Sequence, residues 1–140
     1  MVSLLNLCTT CCAFLFLAST VGSDRVFTEE ELAEYDGSDP SKPIYLSIKG
    51  AVYDVTKGKD FYGKDAAYNA LVGRDSTVSI ARMSLEPADL ALKHDISVLS
   101  SSELEALESV ITSTYVPKYP VVGRLDVAAA ESADSRRTDL

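Results

Sequence analysis

Histidine and tryptophan are nearly absent from this chain, and its cysteines are confined to one end. The 140 residues include one histidine, His94, no tryptophan and three cysteines. A single histidine excludes a metal site that is held by two or more histidines. The cysteines, Cys8, Cys11 and Cys12, all lie close to the N-terminus. The chain beyond them therefore has no thiol nucleophile and no disulfide.

Basic residues are also scarce relative to acidic ones. The chain has 13 Lys and Arg against 21 Asp and Glu, a net charge of -8 at pH 7. An acidic surface repels the phosphates of nucleic acids and anionic lipid headgroups, so neither is an expected partner. The sequence also lacks the nucleophile elbow, the phosphate-binding loop, the dinucleotide-binding glycine motif and the His-Glu-x-x-His motif. We therefore expect a non-enzymatic protein.

The two ends of the chain resemble targeting signals. Residues 1–22 have no charged side chain and include the apolar run Ala13–Ala18, which small residues follow. This pattern predicts a secretory signal peptide that is cleaved after Gly22. The alternative is an uncleaved membrane anchor, because the apolar stretch is nearly long enough to span a bilayer. At the other end, Arg137–Leu140 resembles the Lys-Asp-Glu-Leu class of retrieval signals. We expect a protein of the secretory pathway, secreted or in the endoplasmic reticulum lumen, with no membrane contact after cleavage.

Capping boxes predict where two helices begin. Thr28 is followed by Glu31, and Ser100 by Glu103. At this spacing the hydroxyl and the carboxylate each accept a bond from the other residue's backbone N–H group. Pro117 is expected to end the second helix. Further short helices are expected over residues 66–72 and 77–83 and from residue 84 onward.

Two strands are predicted on either side of Lys49-Gly50. Residues 44–48 and 51–55 are rich in β-branched and aromatic side chains, and Lys49-Gly50 is the one turn signal between them. A last strand is expected over residues 119–125, and the small and polar residues 126–140 predict a flexible tail. Together these elements predict one α+β domain, a small mixed sheet with short helices around an apolar pocket.

Several motifs resemble known families. Phe27–Leu32 and Ile48–Thr56 resemble the cytochrome b5-like fold. Lys57–Gly63 and Tyr68–Ser76 are more specific and resemble the membrane-associated progesterone receptor family, most of all a secreted member of it. Three later stretches strengthen this resemblance: 83–90, 103–107 and 118–123. The resemblance covers about residues 26–125 and implies a cytochrome b5-like haem-binding domain there.

The resemblance also implies how the haem would be held. The family lacks the His-Pro-Gly-Gly motif of cytochrome b5 and uses a tyrosine to bind the iron, which by motif match is Tyr68. Tyr62 and the pair Lys118-Tyr119 match family positions that form hydrogen bonds around the haem. The expected cofactor is thus non-covalent ferric haem. Two departures from the family pattern, Lys64–Ala67 and Val78-Ser79, are expected near the mouth of the pocket.

Three functions follow from this resemblance as expectations. The first is a non-enzymatic haem-binding protein of the secretory pathway. The second is a secreted signalling factor of neurotrophic type, with an unidentified receptor or client protein, in which haem is optional. The third is an electron-transfer accessory domain, and the lack of a bis-histidine site counts against it. His94, between Lys93 and Asp95, is expected to be a solvated loop histidine rather than an axial ligand.

Overall fold

The structure is a computed structural model and describes residues 25–138. The predicted leader, with its three cysteines, lies outside the described residues, and so do the last two residues of the chain. Among residues 25–138, no helix combines the length and the apolar character needed to cross a membrane.

Four strands form one mixed sheet in the order β1-β4-β3-β2. Their bounds are Val26–Phe27 for β1, Tyr45–Ile48 for β2, Ala51–Asp54 for β3 and Val121–Leu125 for β4. The first and last strands pair in parallel, and the other pairs are antiparallel. The predicted hairpin is confirmed: Ile48 pairs with Ala51, and Lys49 and Gly50 both have positive φ, 51° and 80°. Positive φ at both turn residues is the geometry that fits the twist of a two-residue hairpin.

The sheet is buried on both faces because side chains alternate along its strands. One face carries Leu46, Ile48 and Tyr53 into the larger core cluster. The other face carries Tyr45 and Val52 into a smaller cluster. The alternating side chains of β2 and β3 thus pack into two cores, one on each face of the sheet.

The helices are short, and both predicted capping boxes are present. Thr28 caps α1 and Ser100 caps α5, each with its partner glutamate. The α-helices are Glu29–Ala33 (α1), Lys59–Tyr62 (α2), Thr77–Arg82 (α3), Pro87–Leu92 (α4), Ser101–Val110 (α5), Val116–Lys118 (α6) and Val127–Thr138 (α7). Single 3-10 turns cover Thr56–Gly58, Asn69–Leu71 and Ile96–Val98. The helix expected over residues 66–72 is therefore reduced to one 3-10 turn.

The helical run that begins after Ser100 ends one residue beyond Pro117, at Lys118, close to the predicted end. The chain passes from α5 into a π-helical turn, Ile111–Tyr115, and then into α6. Pro117 lies in the first turn of α6. Proline has no N–H to donate back into the π-turn, and the helical run ends one residue later. The π-turn re-registers the backbone, because the Val116 N–H donates to the Ile111 carbonyl five residues earlier.

The predicted flexible tail contains a helix in this structure. Helix α7 covers Val127–Thr138. An Asp126 carboxylate oxygen accepts a hydrogen bond from the Ala129 N–H at 3.0 Å, and the alanines that follow are strong helix formers. The prediction of a flexible tail was based on the lack of large apolar side chains. It did not take into account the high helix propensity of the alanines.

Two buried or half-buried polar residues fix α3. The Asp75 carboxylate, 2% exposed, accepts bonds from the Thr77 N–H and hydroxyl at 3.0 and 2.7 Å and from the Ser47 hydroxyl at 2.9 Å. These bonds tie the start of α3 to strand β2. At the other end of α3, Arg82 forms ion pairs with Asp89 of α4 and Glu103 of α5, at 2.7 and 3.2 Å. Helix α3 is therefore held at both ends.

Candidate ligand-binding site

The loop after α2 brings Tyr62 and Tyr68 together. Tyr62 is the last residue of α2. The Tyr68 N–H donates to the Phe61 carbonyl at 2.8 Å, and the side-chain amide of Asn69 donates to the Tyr62 carbonyl at 3.0 Å. These bonds close the loop, so that the two tyrosine rings lie 6.2 Å apart between centroids. Both tyrosines line one cavity.

Tyr115 is a third tyrosine of this cavity, and the sequence analysis did not name it as a site residue. It comes from the π-turn, is 3% exposed, and its hydroxyl lies 2.8 Å from the Tyr62 hydroxyl. Burial is the main reason that the pKa values of both hydroxyls are raised. Both phenols therefore stay protonated at neutral pH and satisfy each other as a hydrogen-bonded pair.

The cavity has a volume of about 380 Å³, within the range of small-molecule pockets. Its floor includes the Tyr62–Tyr115 pair, and Tyr68 stands at the surface, 45% exposed. None of the described residues that line it carries a charge at neutral pH. The lining residues are Tyr62, Tyr68, Leu71, Ser79, Ile80, Met83, Ser84, Leu85, Val110, Thr114 and Tyr115. An apolar cavity with a few hydroxyl groups suits an uncharged or largely apolar ligand.

The other two predicted site residues do not line this cavity. Tyr119 lies behind it, with its ring 6.2 Å from that of Tyr62 and 5.8 Å from that of Tyr115. Its hydroxyl lies against Gly58, where an added Cβ would stand only 2.6 Å from the oxygen. Lys118 is exposed on α6. The structure thus joins Tyr119 to the site through the tyrosine cluster and leaves Lys118 outside the cavity wall.

The expected position of Val78-Ser79 at the mouth of the pocket is wrong. Val78 is fully buried in the larger core cluster, and Ser79 is 1% exposed on the cavity wall. The reason is that α3 turns this segment inward between the sheet and α5. The other departure, Lys64–Ala67, lies at the surface and does not line the cavity.

His94 is more enclosed than a solvated loop histidine. Its side chain is 19% exposed, and its Nε2 lies 3.6 Å from a carboxylate oxygen of Glu131 in α7. It lines a second cavity, of about 570 Å³, with the ion pair Lys93–Glu29 at 2.9 Å. Helix α7 encloses His94, and sequence reasoning had treated that segment as a flexible tail. This histidine is not among the residues of the tyrosine-lined cavity.

Comparison with known proteins identifies the domain. The profile of the family described as "Cytochrome b5-like Heme/Steroid binding domain" matches residues 28–126. The chain belongs to this family. The predicted resemblance to cytochrome b5-like and membrane-associated progesterone receptor proteins is thereby confirmed. Residues 28–126 contain every described residue that lines the tyrosine cavity.

Relatives of this cytochrome b5-like domain include proteins named for steroid binding. Membrane steroid-binding protein 1 of Arabidopsis thaliana is 43% identical over 104 residues, which cover 74% of this chain and 46% of that protein. Probable steroid-binding protein 3 of the same plant is 41% identical over 99 residues, 71% of this chain and 96% of that protein. The Neuferricin homolog of Drosophila melanogaster is 35% identical over 113 residues, 77% of this chain and 39% of that protein. The first and third of these relatives are more than twice as long as the region they share with this chain.

A solved structure supports the same fold. A hypothetical protein from Arabidopsis thaliana, described as having a cytochrome b5 like fold, superposes with a TM-score of 0.64 at 40% identity. The match covers 74% of this chain and 92% of that structure. The predicted fold class, a cytochrome b5-like α+β domain, is confirmed.

Proposed function

We propose that this cytochrome b5-like domain binds ferric haem in the tyrosine-lined cavity, with Tyr68 as the iron ligand. The observation that carries the proposal is the state of the three tyrosine hydroxyls on the cavity wall. Those of Tyr62 and Tyr115 are bonded to each other, whereas that of Tyr68 has no hydrogen-bond partner among the described residues. Tyr68 is also the most exposed of the three, so its oxygen is accessible to a metal.

The residues of the cavity fit a haem held at its edge. The apolar side chains of Leu71, Ile80 and Val110 suit the porphyrin ring. The two propionates carry charge, and an uncharged wall gives them no partner, so they would have to face solvent. Lys118, exposed and outside the wall, is a candidate partner for one of them.

The chemistry of a phenol ligand determines which iron state the site favours. A free phenol has a pKa near ~10 and must lose its proton to bind iron well. The positive charge of ferric iron favours this loss, and an anionic oxygen ligand in turn stabilises ferric over ferrous iron. Haem in this site would therefore supply a ferric centre suited to binding or sensing rather than to rapid electron transfer.

The test is a haemin titration of residues 23–140, followed by absorption spectroscopy. We expect the wild-type domain to give a ferric, tyrosine-ligated spectrum and Tyr68→Phe to abolish or strongly shift it. Tyr62→Phe should keep the ligated spectrum, because its hydroxyl is bonded to that of Tyr115 and does not bind the iron. Tyr35→Phe is the matched control, because Tyr35 packs in the smaller core cluster, away from the cavity. An unchanged spectrum in Tyr68→Phe would refute the ligand assignment.

A steroid is the second candidate ligand. It is favoured by the uncharged wall of the cavity, which suits a rigid apolar molecule without ionised groups. The names of the Arabidopsis relatives support the same class. The two candidates compete for one cavity, so progesterone should displace haemin from the wild-type domain. Binding of progesterone without any effect on haemin would assign the two ligands to different places.

We also propose a cellular location and a possible role with a partner protein. We infer from the apolar leader and from Arg137–Leu140 that the domain acts in the secretory pathway. Neudesin, the secreted family member that the motifs resemble most, suggests a signalling role in which haem is optional. The signalling role, its receptor and the electron-transfer alternative all stay predictions.

A further inference from the structure

The segment between α3 and α5 lies at the surface of the domain and forms part of the wall of the tyrosine-lined cavity. No residue from 83 to 98 is buried, although Ala81 before this segment and Leu99 after it are. The first residues of the segment, Met83 to Leu85, line the cavity, and α4 follows them without a buried residue. Segments that bury little apolar surface open more easily than the core of a protein. This part of the cavity wall is therefore the part that can move most readily.

Two residues with positive φ lie on either side of α4. Met83 ends α3 with φ at 52°, and Lys93 follows α4 with φ at 50° and ψ at −108°. Positive φ is unfavourable for residues other than glycine, so the backbone is strained at both positions. The hinges of moving segments are typically a few residues at the ends of helices or in loops, where large changes in φ and ψ are absorbed. Met83 and Lys93 occupy such positions at the two ends of the segment 83–93.

The backbone of both hinge residues is bonded to α3, whereas the segment between them is held by side chains. The Met83 N–H donates to the Ile80 carbonyl at 3.2 Å, and the Lys93 carbonyl accepts a bond from the Val78 N–H at 3.0 Å. No backbone hydrogen bond joins residues 85–92 to another helix or strand of the described chain. One ion pair and half-buried leucine side chains hold α4 in place instead. The segment can therefore turn about two fixed ends without breaking backbone bonds to the rest of the domain.

We propose that residues 83–93 form a lid, which closes over a ligand in the tyrosine-lined cavity by rotation at Met83 and Lys93. This inference rests on the proposed use of the cavity for a small molecule. Met83 and Leu85 line the cavity and are 85% and 40% exposed. Closure over an apolar ligand removes apolar surface of both side chains from water, which drives the motion. The open lid admits the ligand, and the closed lid slows its release.

The first test is amide hydrogen exchange, followed by mass spectrometry, of residues 23–140 with and without haemin. In the ligand-free domain we expect residues 84–92 to exchange faster than α5. Haemin at about ten times its Kd should slow their exchange about tenfold. Residues 87–92 do not line the cavity, so slower exchange there reports closure of the lid rather than direct contact with the ligand. Helix α7, which is exposed and does not line the cavity, is the internal reference and should not change.

The second test removes the apolar side chains of the lid. We expect the double variant Met83→Ser and Leu85→Ser to release haemin about five- to thirtyfold faster to apomyoglobin, because closure then buries less apolar surface. The matched control is the double variant Ile96→Ser and Val98→Ser. These two apolar residues are 46% and 37% exposed in the turn that follows the lid, and neither lines the cavity. The control should release haemin at the wild-type rate.

The failure of the lid can be told apart from the failure of the proposed function. If the wild-type domain binds neither haemin nor progesterone, the proposed function fails and the lid falls with it. If the spectrum shows bound haemin but the exchange of residues 87–92 does not slow, the wall is static and only the lid is refuted. Equal acceleration of haemin release in both double variants, or none in either, also refutes the lid.

Discussion

The hydrogen bond between Tyr62 and Tyr115 should produce strong energetic coupling. Both residues are buried, and their hydroxyl oxygens lie 2.8 Å apart. Each hydroxyl is the other's only hydrogen-bond partner among the described residues. Removing one of them breaks the bond and also leaves the other in an apolar site, where an unsatisfied group costs about 1–3 kcal/mol. Removing both leaves no unsatisfied group, so the double variant should lose only about 0.5–1.5 kcal/mol.

The assay is a double-mutant cycle with the variants Tyr62→Phe, Tyr115→Phe and the combination of the two. Free energies of unfolding come from urea denaturation followed by circular dichroism at pH 7, and the m-values should not change. We expect the sum of the two single-variant losses in unfolding free energy to exceed the loss in the double variant by about 1–3 kcal/mol. This is in the range measured for contacting residues. Tyr35→Phe and Tyr45→Phe form the control cycle. Their rings stack at 4.5 Å with no bond between the hydroxyls, so their losses should add.

The same pair predicts how stability depends on pH. Burial raises the folded-state pKa of both hydroxyls above the ordinary value of ~10. The folded state therefore holds these protons more tightly than the unfolded state, and stability falls as the pH rises above ~10. The double Phe variant removes the contribution of this pair and leaves that of Tyr45 and Tyr53, whose pKa values burial also raises. Its profile should therefore be flatter than that of the wild type above about pH 10, but not flat. Additive losses at pH 7, together with an unchanged alkaline profile, would refute the assignment of the two hydroxyls as a buried pair.

Two further predictions concern the exposed parts of the chain. Lys118→Ala should weaken haemin binding by about 0.2–1 kcal/mol, the scale of an exposed ion pair, and by the same amount at pH 6 and pH 8, since Lys118 lies outside the cavity wall. A loss concentrated on the acid side would instead indicate that its ammonium supports the Tyr68 phenolate. Removing Arg137–Leu140 from the full-length chain should increase the fraction found in the culture medium if these residues act as a retrieval signal. An unchanged fraction would leave simple secretion, and a chain that stays in the membrane pellet after alkaline extraction would make the leader an anchor.

The features that sequence predicted well are those that depend on near neighbours. The capping boxes of Thr28 and Ser100 are set by residues three positions apart, and both are present. The hairpin turn at Lys49-Gly50 is set by its own two residues and its flanking strands. Such signals can be read from a single sequence because the interacting atoms are close along the chain.

The features that sequence missed depend on residues far apart along the chain. The partner of Tyr62 is Tyr115, more than fifty positions away, and no local pattern marks it. The burial of Ser79 follows from the packing of α3 against α5, which composition does not reveal. The π-turn Ile111–Tyr115, which interrupts the regular helix before Pro117, was also missed, because neither propensity nor periodicity predicts a π-turn.

Several local irregularities of the fold lie at the tyrosine-lined cavity, and this supports its role as the functional site. Ser79 has an unpaired buried hydroxyl, and Met83 ends α3 in a left-handed conformation, with φ at 52°, and is 85% exposed. The π-turn supplies Tyr115, and Leu85 adds a further exposed apolar side chain to the wall. Each of these features costs stability that an ordinary helical protein would avoid. Natural sequences tend to keep such costs where function requires them.

The second cavity, around His94, is larger, but its wall carries the ion pair Lys93–Glu29 and the polar side chains of His94 and Glu131. A ligand there would have to compete with the Lys93–Glu29 ion pair, whereas in the tyrosine-lined cavity it would cover apolar surface. The smaller cavity is therefore the stronger candidate for the binding site.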